Sequence, residues 1–261
     1  MKKCIIDDFG YIGEYSKKIQ LIKENGFDSV FLNMRENKQP IPLEKILEKV
    51  EECNRQNMNI LFAHLPIDTR LNDLWKNVNS EYKKEIKSMI YKLSQRNVKV
   101  FVIHSYYKFV EVSQNIIIKN LTEISQYAIQ NGCEILIENV DYFNQDKFVF
   151  ENMRAITKLC YDIGHENAFY KAEEKDYLLK NFSTDIRALH LHDNNGEQDE
   201  HKIPFSDNCN VDFTKLKKIN NIKSLTLTLE CKMEKSDSEQ RANMFLKKSK
   251  ESLDKIEKII E

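Results

Sequence analysis

Residues 188–201 carry the residue types of a metal site that follows a strand. The run 186–191 is apolar, and the chain then turns abruptly polar at His192, which is the pattern of a buried strand that ends in a loop. The loop supplies Asp199 and His201, two residues apart, and this short stretch holds three of the six histidines of the chain. Carboxylate and imidazole groups at such a density predict a metal site to which other strand ends contribute.

The elements that position this stretch alternate between short β-like runs and longer amphipathic segments. In the segment 43–56, the apolar residues Leu43, Ile46, Leu47 and Val50 have the spacing of a buried helical face. The predicted strands are 4–7, 28–33, 59–64, 98–104, 134–138, 159–163, 186–191 and 225–230. The predicted helices are 14–25, 43–56, 81–95, 114–130, 150–157, 173–181, 213–219 and 238–260.

Regular alternation predicts a parallel sheet with helices outside, and a count of eight units favours a closed (β/α)8 TIM barrel. An open doubly wound sheet is the alternative, although it has no reason to stop at eight units. The sequence shows no linker or low-complexity segment, so we expect residues 1–261 to form a single α/β domain.

The composition favours an ordinary globular protein over a nucleic-acid or membrane protein. Lysine plus arginine number 40 and aspartate plus glutamate 41, a balance that disfavours a nucleic-acid partner without excluding one. No apolar run approaches the roughly 20 residues that span a membrane, and the N-terminus lacks the apolar block of a signal peptide. The six cysteines are scattered without a CxxC pair, as expected of reduced thiols in a cytoplasmic protein.

Acidic and imidazole side chains recur at the predicted carboxyl ends of the strands, where TIM barrels carry their active sites. The residues at these ends are His64, His104, Glu138, Asp162, His165, His190, His192, Asp199, His201 and Glu230. Any one of them alone fits a structural role, such as a hydrogen-bonded core histidine or a salt-bridged glutamate. The whole set falling on one face by accident is far less expected, so we interpret it as one functional site.

Three of these acids require a cation. Glu138, Asp162 and Glu230 would point into one cavity, where like charges raise each other's pKa and destabilise the ionised forms. A divalent metal removes that penalty. Mixed carboxylate and imidazole ligands suit Mn, Co, Fe or Zn rather than Ca or Mg, and the lack of paired thiols disfavours a structural zinc knot.

The polar segment 68–79, after the third predicted strand, contains the only tryptophan of the chain, Trp75. On the catalytic face, a loop of this length would form a lid through which Trp75 contacts the substrate. A tryptophan that covers the barrel mouth, or that packs on the third helix, is an equally good interpretation.

These residues resemble those of the xylose isomerase-like TIM barrels, a group that includes sugar isomerases, sugar epimerases and endonuclease IV. The resemblance runs from about Ala63 to Glu230. It rests on the motifs Phe-Ala-His64-Leu-Pro, Ile-His104-Ser, Ile-Glu138-Asn, Asp162-Ile-Gly-His165, His190-Leu-His-Asp-Asn-Asn-Gly, Asp199-Glu-His201-Lys-Ile-Pro and Leu-Glu230. One departure is that Phe205-Ser-Asp-Asn-Cys follows Pro204 in place of a glycine-bearing turn.

Resemblance to the ketose epimerases of this group implies one metal held by Glu138, Asp162, His190 and Glu230. The substrate would chelate the metal through a carbonyl and a neighbouring hydroxyl. Glu138 and Glu230 would then act as base and acid through an enediolate. In this interpretation the substrate contacts are His64, His104, His165 and Trp75.

Resemblance to endonuclease IV implies instead three zinc ions and hydrolysis of a phosphodiester. The matching residues would be His64, His104, Glu138, Asp162, His165, His190, Asp199, His201 and Glu230. The near-neutral charge and the few arginine and aromatic residues in the loops disfavour this alternative. Lyase or dehydratase chemistry on polyols and a non-catalytic metal-holding protein also stay open.

The favoured prediction is a metal-dependent sugar or sugar-phosphate isomerase or epimerase that binds a divalent Mn, Co or Zn ion. Its expected partner is a small sugar or sugar phosphate, and no membrane contact is expected. Barrels of this kind often form homodimers, and the sequence leaves that open.

Overall fold

Eight parallel strands form the barrel in the computed structural model, which describes residues 1–36, 39–106 and 114–261. The strands, numbered one to eight in chain order, are Lys3–Ile6, Ser29–Asn33, Asn59–His64, Val100–His104, Glu134–Glu138, Lys158–Asp162, Ile186–His190 and Leu227–Leu229. Each of the first six strands pairs with the next one along the chain, and the eighth pairs with the first. A parallel bridge between Leu191 and Leu229 joins the seventh strand to the eighth. The predicted (β/α)8 TIM barrel is confirmed.

Helices follow the strands around the outside of the barrel. The α-helices are Tyr15–Glu24, Leu43–Arg55, Asp73–Lys76, Glu81–Ser94, Gln114–Gln130, Phe143–Met153, Ile163–Phe169, Tyr177–Phe182 and Glu239–Ile260. The 3-10 helices are Thr69–Asn72, Phe213–Lys218 and Ile222–Ser224. The helix Leu43–Arg55 buries Ile46, Val50 and Cys53 on one face, as its sequence pattern predicts. In the described part of the chain, no helix has the length and apolar character needed to cross a membrane.

The largest departures from the predicted elements lie around the sixth strand. The helix placed at 150–157 is Phe143–Met153, and the strand ends at Asp162 because a further helix, Ile163–Phe169, begins there. The side chain of Asp162 caps this helix by accepting a hydrogen bond of 2.7 Å from the backbone N–H of His165. A predicted metal ligand is therefore also the residue that turns the strand into a helix.

An aromatic layer inside the barrel lies beneath the candidate site. The rings of Phe31 and Phe62, on the second and third strands, stack with centroids 4.9 Å apart. The imidazole of His190 stacks on Phe31 at 5.1 Å. Because all three side chains are almost fully buried, this layer fixes the plane of the His190 ring from below.

Candidate metal centre

Strand ends bring the predicted site residues together on one side of the barrel. His64, His104, Glu138, Asp162 and His190 are the last residues of the third to seventh strands. A cavity of about 550 Å³ opens over them, and its walls include His64, His104, His165, Asp199, His201 and Glu230. The common location follows from the parallel arrangement, because the carboxyl ends of all eight strands face the same way.

The first potential metal-binding group consists of Glu138, Asp162, His190 and Glu230. One ligand atom from each residue lies within 4.8 Å of those of the other three. Nδ1 of His190 is 2.9 Å from Oε1 of Glu138 and 2.9 Å from Oε2 of Glu230. Oδ2 of Asp162 is buried without a hydrogen-bond partner among the described residues. Buried carboxylate oxygens without partners are costly, so this donor set fits a divalent cation.

Positive charge keeps the carboxylates of this group ionised. Burial alone would raise the pKa of Glu138, but His190 and His104 outweigh burial and lower that pKa well below its usual value. Burial alone would also raise the pKa of Glu230, but the nearby charge of His190 outweighs burial and lowers that pKa. A divalent cation between these residues would supply the same stabilisation more strongly than a protonated imidazole.

Glu138 has contacts on both of its carboxylate oxygens. While His190 contacts Oε1, Nε2 of His64 lies 2.9 Å and Nε2 of His104 3.2 Å from Oε2. Nδ1 of His64 is 3.0 Å from the carbonyl oxygen of Leu65, to which it can only donate, so Nε2 is left to accept or to bind a metal. His64, Glu138 and His190 accordingly form a second overlapping set of potential metal ligands. Glu138 and His190 belong to both sets.

A separate group, the loop cluster, consists of His165, His192, Asp199 and His201. Nε2 of His201 is 3.0 Å and Nε2 of His165 3.5 Å from Oδ2 of Asp199, whereas Nε2 of His192 is 3.5 Å from Oδ1. Burial alone would raise the pKa of Asp199, but hydrogen bonds from His165 and His201 outweigh burial and lower that pKa. The structure thus places the predicted pair Asp199 and His201 around a common point with His165.

His192 is among the strand-end residues that the sequence places in the functional site, but no ligand or substrate role is predicted for it. Its available signal was the spacing from His190, because residues two apart on an extended strand project to the same side. His192 is fully buried, whereas the other members of the cluster line the cavity. The contact of His192 with the rest of the loop cluster depends on how the loop after the seventh strand folds back over the strand end.

The predicted substrate contact of Trp75 is corrected by its position. The side chain is 2% exposed, and its indole N–H donates a 2.7 Å hydrogen bond to the carbonyl oxygen of Ser105. It is absent from the walls of the central cavity, and the segment around it forms the short helices Thr69–Asn72 and Asp73–Lys76. Trp75 therefore packs in the core, which was the alternative interpretation.

Two basic residues of the cavity wall lack acidic partners. Arg35 follows the second strand and Lys232 follows the eighth, and both line the cavity. Among the described residues, no carboxylate lies within ion-pair distance of either side chain. Arg35 and Lys232 therefore add positive charge to a cavity wall that also carries acidic side chains.

Comparison with known proteins gives one family. The model of the xylose isomerase-like TIM barrel family matches residues 19–255. An uncharacterized protein of Methanocaldococcus jannaschii is 32% identical over 164 residues, which cover 58% of this chain and 62% of that relative.

Solved structures share the fold. A D-psicose 3-epimerase from Clostridium cellulolyticum, crystallised with D-tagatose, has a TM-score of 0.75 at 12% identity, with all of both chains covered. A D-tagatose 3-epimerase-like protein has a TM-score of 0.71 at 22% identity, covering 100% of this chain and 98% of the other. A 3-keto-D-glucoside 4-epimerase from E. coli has a TM-score of 0.71 at 14% identity, covering 99% of this chain and 100% of the other.

Proposed function

The chain belongs to the xylose isomerase-like TIM barrel family, and from this premise we propose that it is a metal-dependent isomerase or epimerase of sugars or sugar phosphates. The observation that carries the proposal is the position of the two glutamates. Glu138, at the end of the fifth strand, and Glu230, after the eighth, each lie 2.9 Å from Nδ1 of His190. Two carboxylates from different parts of the barrel at one site suit removal of a proton by one and its return by the other.

Each residue of the first group has a role in this proposal. Glu138, Asp162, His190 and Glu230 would hold a Mn, Co or Zn ion, which when bound polarises a substrate carbonyl and acidifies the neighbouring C–H. Glu138 and Glu230 would exchange the proton, and the lowered pKa of each supports a base that is ionised at neutral pH. His64, His104 and His165 would orient substrate oxygens from the cavity wall.

Protonation supports different roles for two of the wall histidines. Burial lowers the pKa of His104 despite the nearby Glu138, so its ring is neutral and can orient a hydroxyl group. Burial also acts against the charge of His165, but Asp162 and Asp199 outweigh it and raise its pKa well above the usual value. In the absence of a cation, His165 is therefore the charged donor of the pair.

The two basic residues of the cavity wall, Arg35 and Lys232, support a sugar phosphate as the substrate of the proposed isomerase. Arg35 and Lys232 line the cavity without acidic partners among the described residues, and a phosphate group is a ligand that arginine binds through two hydrogen bonds. A substrate screen should therefore pair each ketose with its phosphate ester.

The test is proton exchange with solvent. Ketoses and ketose phosphates would be incubated in heavy water with the metal-loaded protein, and deuterium at the carbon next to the carbonyl would be measured by NMR. We expect exchange with wild type, none with Glu138→Gln or Glu230→Gln, and undiminished exchange with the control Glu251→Gln, whose side chain is exposed. Exchange that survives Glu138→Gln would contradict the assigned roles.

A multi-zinc phosphodiesterase is a second candidate, favoured by the overlapping ligand sets around Glu138 and the separate loop cluster. It would use the same nine residues that resemble those of endonuclease IV. Elemental analysis distinguishes the two functions first, because three zinc ions per chain would favour the hydrolase over the isomerase. Cleavage of an abasic DNA duplex that is lost with His104→Ala would then support it.

A further inference from the structure

We propose that His192 is the fourth ligand of a closed cation site in the loop cluster, formed with His165, Asp199 and His201. The resemblance to endonuclease IV already includes His165, Asp199 and His201 among zinc ligands, so the new element is His192, which goes beyond the one cation that the proposed isomerase needs. With the ion bound, His165 is a metal ligand, and the substrate contacts of the proposed isomerase are left to His64 and His104. The cation that the donors suit best is Zn²⁺, because three imidazoles and one carboxylate are typical zinc ligands.

The side chain of His192 has no other satisfied role. It is fully buried, and neither of its ring nitrogens has a hydrogen-bond partner among the described residues. Nε2 is 3.1 Å from Oδ1 of Asp162 and 3.5 Å from Oδ1 of Asp199, without a hydrogen bond to either. A buried imidazole whose Nε2 faces two carboxylates without a hydrogen bond requires explanation, and a cation bound at Nε2 provides it for that nitrogen.

The spacing of the donor atoms fits tetrahedral zinc. With metal–ligand bonds of about 2.1 Å, neighbouring ligand atoms of a tetrahedron are separated by roughly 3.4 Å. Nε2 of His201 and Nε2 of His165 lie 3.0 and 3.5 Å from Oδ2 of Asp199, and Nε2 of His192 lies 3.5 Å from Oδ1 of the same carboxylate. One ligand atom from each of the four residues lies within 4.8 Å of those of the other three.

Surrounding groups orient the imidazoles towards that point. Nδ1 of His165 donates to the carbonyl oxygen of Asn139 at 2.8 Å, and Nδ1 of His201 donates to that of Glu230 at 2.7 Å. These bonds direct Nε2 of both rings towards the Asp199 carboxylate, where a metal ion would replace the proton on each Nε2. The ring of His192 stacks on that of His201 with centroids 4.2 Å apart.

The space that His192 occupies depends on a glycine. A Cβ atom at Gly164 would lie 2.1 Å from Cε1 of His192. Gly164 precedes the ligand His165 in the helix Ile163–Phe169, so the same turn that carries one ligand makes room for another. This arrangement supports His192 as a built component of the site.

A fourth protein ligand decides what the site does. Catalytic zinc sites keep a position open for water or substrate, whereas sites with four protein ligands are structural. Here the ion would join the helix after the sixth strand, which carries His165, to the loop after the seventh. The ends of that loop are already paired, because Asp193 and Lys202 exchange backbone hydrogen bonds of 2.8 and 3.0 Å. The ion would fix the loop against the barrel and, through His201, the backbone of Glu230.

Metal stoichiometry and affinity test the proposal without reference to activity. Chelator-treated full-length protein would be titrated with Zn²⁺ by equilibrium dialysis, with elemental analysis of the bound metal, for wild type and His192→Asn. We expect His192→Asn to bind one equivalent fewer, or to bind that equivalent at least ten-fold more weakly. The matched control is Leu189→Val, a buried change on the same strand without a ligand atom, which should bind as wild type does.

Spectroscopy of the wild type keeps the proposal testable if His192→Asn fails to fold. With ¹⁵N-labelled histidine, zinc binding should shift the Nε2 resonance of His192 together with those of His165 and His201. Cobalt bound at the loop cluster should show the intense visible absorption of a four-coordinate ion. The proposal is overturned if His192→Asn binds zinc as wild type does, or if the His192 resonance does not respond to zinc.

Discussion

The side-chain amide of Asn139 bonds both backbone groups of Asp162. Its Nδ2 donates to the carbonyl oxygen of Asp162, and its Oδ1 accepts from the backbone N–H, each at 2.8 Å. The backbone carbonyl of Asn139 also accepts a hydrogen bond from Nδ1 of His165. One residue of the Ile-Glu-Asn motif therefore positions a ligand of the first group and a ligand of the loop cluster.

Replacing Asn139 should loosen both groups. Asn139→Ala removes two hydrogen bonds and leaves two buried backbone groups of Asp162 unpaired, which should lower the free energy of unfolding by roughly 2–5 kcal/mol. Denaturant unfolding measures the loss, and metal titration should show weaker binding. The control is Asn152→Ala, which removes an exposed hydrogen bond to Phe148 and should cost less than about 1 kcal/mol. Equal losses in the two variants would contradict the positioning role.

Gly164→Ala should destabilise the protein, although replacing a glycine within a helix by alanine usually stabilises. At an open helical position, alanine stabilises by about 1 kcal/mol relative to glycine. Here the added Cβ would meet His192 at 2.1 Å, so we expect a net loss of roughly 1–3 kcal/mol in cation-free protein. In a double-mutant cycle with His192→Ala, most of that loss should disappear because the ring is gone. If the stability losses of Gly164→Ala and His192→Ala add in the double variant, the loss in Gly164→Ala does not come from contact with His192.

Asp146 should make stability depend on pH. Burial raises the pKa of Asp146 to about 7, against hydrogen bonds from Tyr170 and Val140 that lower it. Between about pH 4 and pH 7 the unfolded chain releases this proton while the folded protein keeps it, so the folded state loses stability as pH rises and the loss is complete above pH 7. Below pH 4 both states are protonated and the carboxyl group contributes nothing.

Asp146→Asn removes this titration while keeping an acceptor for both hydrogen bonds, which converge on Oδ2. Its stability relative to wild type should therefore grow from pH 4 to pH 7, with an upper limit of about 4 kcal/mol at about 1.4 kcal/mol per pKa unit. Urea unfolding at intervals of pH measures the difference. A difference that is constant with pH would show that Asp146 ionises normally.

Trp75→Phe should affect stability and leave substrate binding unchanged. The indole N–H bonds the carbonyl oxygen of Ser105, and its loss with the associated packing defect should cost about 1–3 kcal/mol. Once a substrate is found, KM should match wild type at a temperature where the variant is folded. A raised KM without loss of stability would return Trp75 to the substrate site.

Local patterns predicted most of the barrel. The bounds of Asn59–His64, Gln114–Gln130 and Glu134–Glu138 agree with the predicted segments, because apolar periodicity and clear end signals coincide there. The helix Ile163–Phe169 was missed because its N-cap is the side chain of Asp162, which had been assigned only to a metal.

Contacts between distant residues account for what the sequence could not predict in the site. Residue types and strand ends were sufficient to propose Glu138, Asp162, His190 and Glu230, which the structure brings within 4.8 Å of one another. The burial of Trp75 depends on how its segment packs against Ser105, thirty residues away. The place of His192 in the loop cluster depends likewise on the fold of a loop, which residue spacing does not determine.

The barrel wall has its sparsest pairing where the metal ligands face each other. Between the seventh and eighth strands the join consists of a bridge at Leu191 and Leu229, with backbone hydrogen bonds from Leu191 to Thr228 and from Glu230 to Leu191. His190 and Glu230 lie on opposite sides of this seam, so an ion held by both spans it. Binding of the ion should therefore oppose local opening between the seventh and eighth strands. Amide hydrogen exchange at Leu191 and Glu230 should become slower when the ion binds, and this can be measured without any substrate.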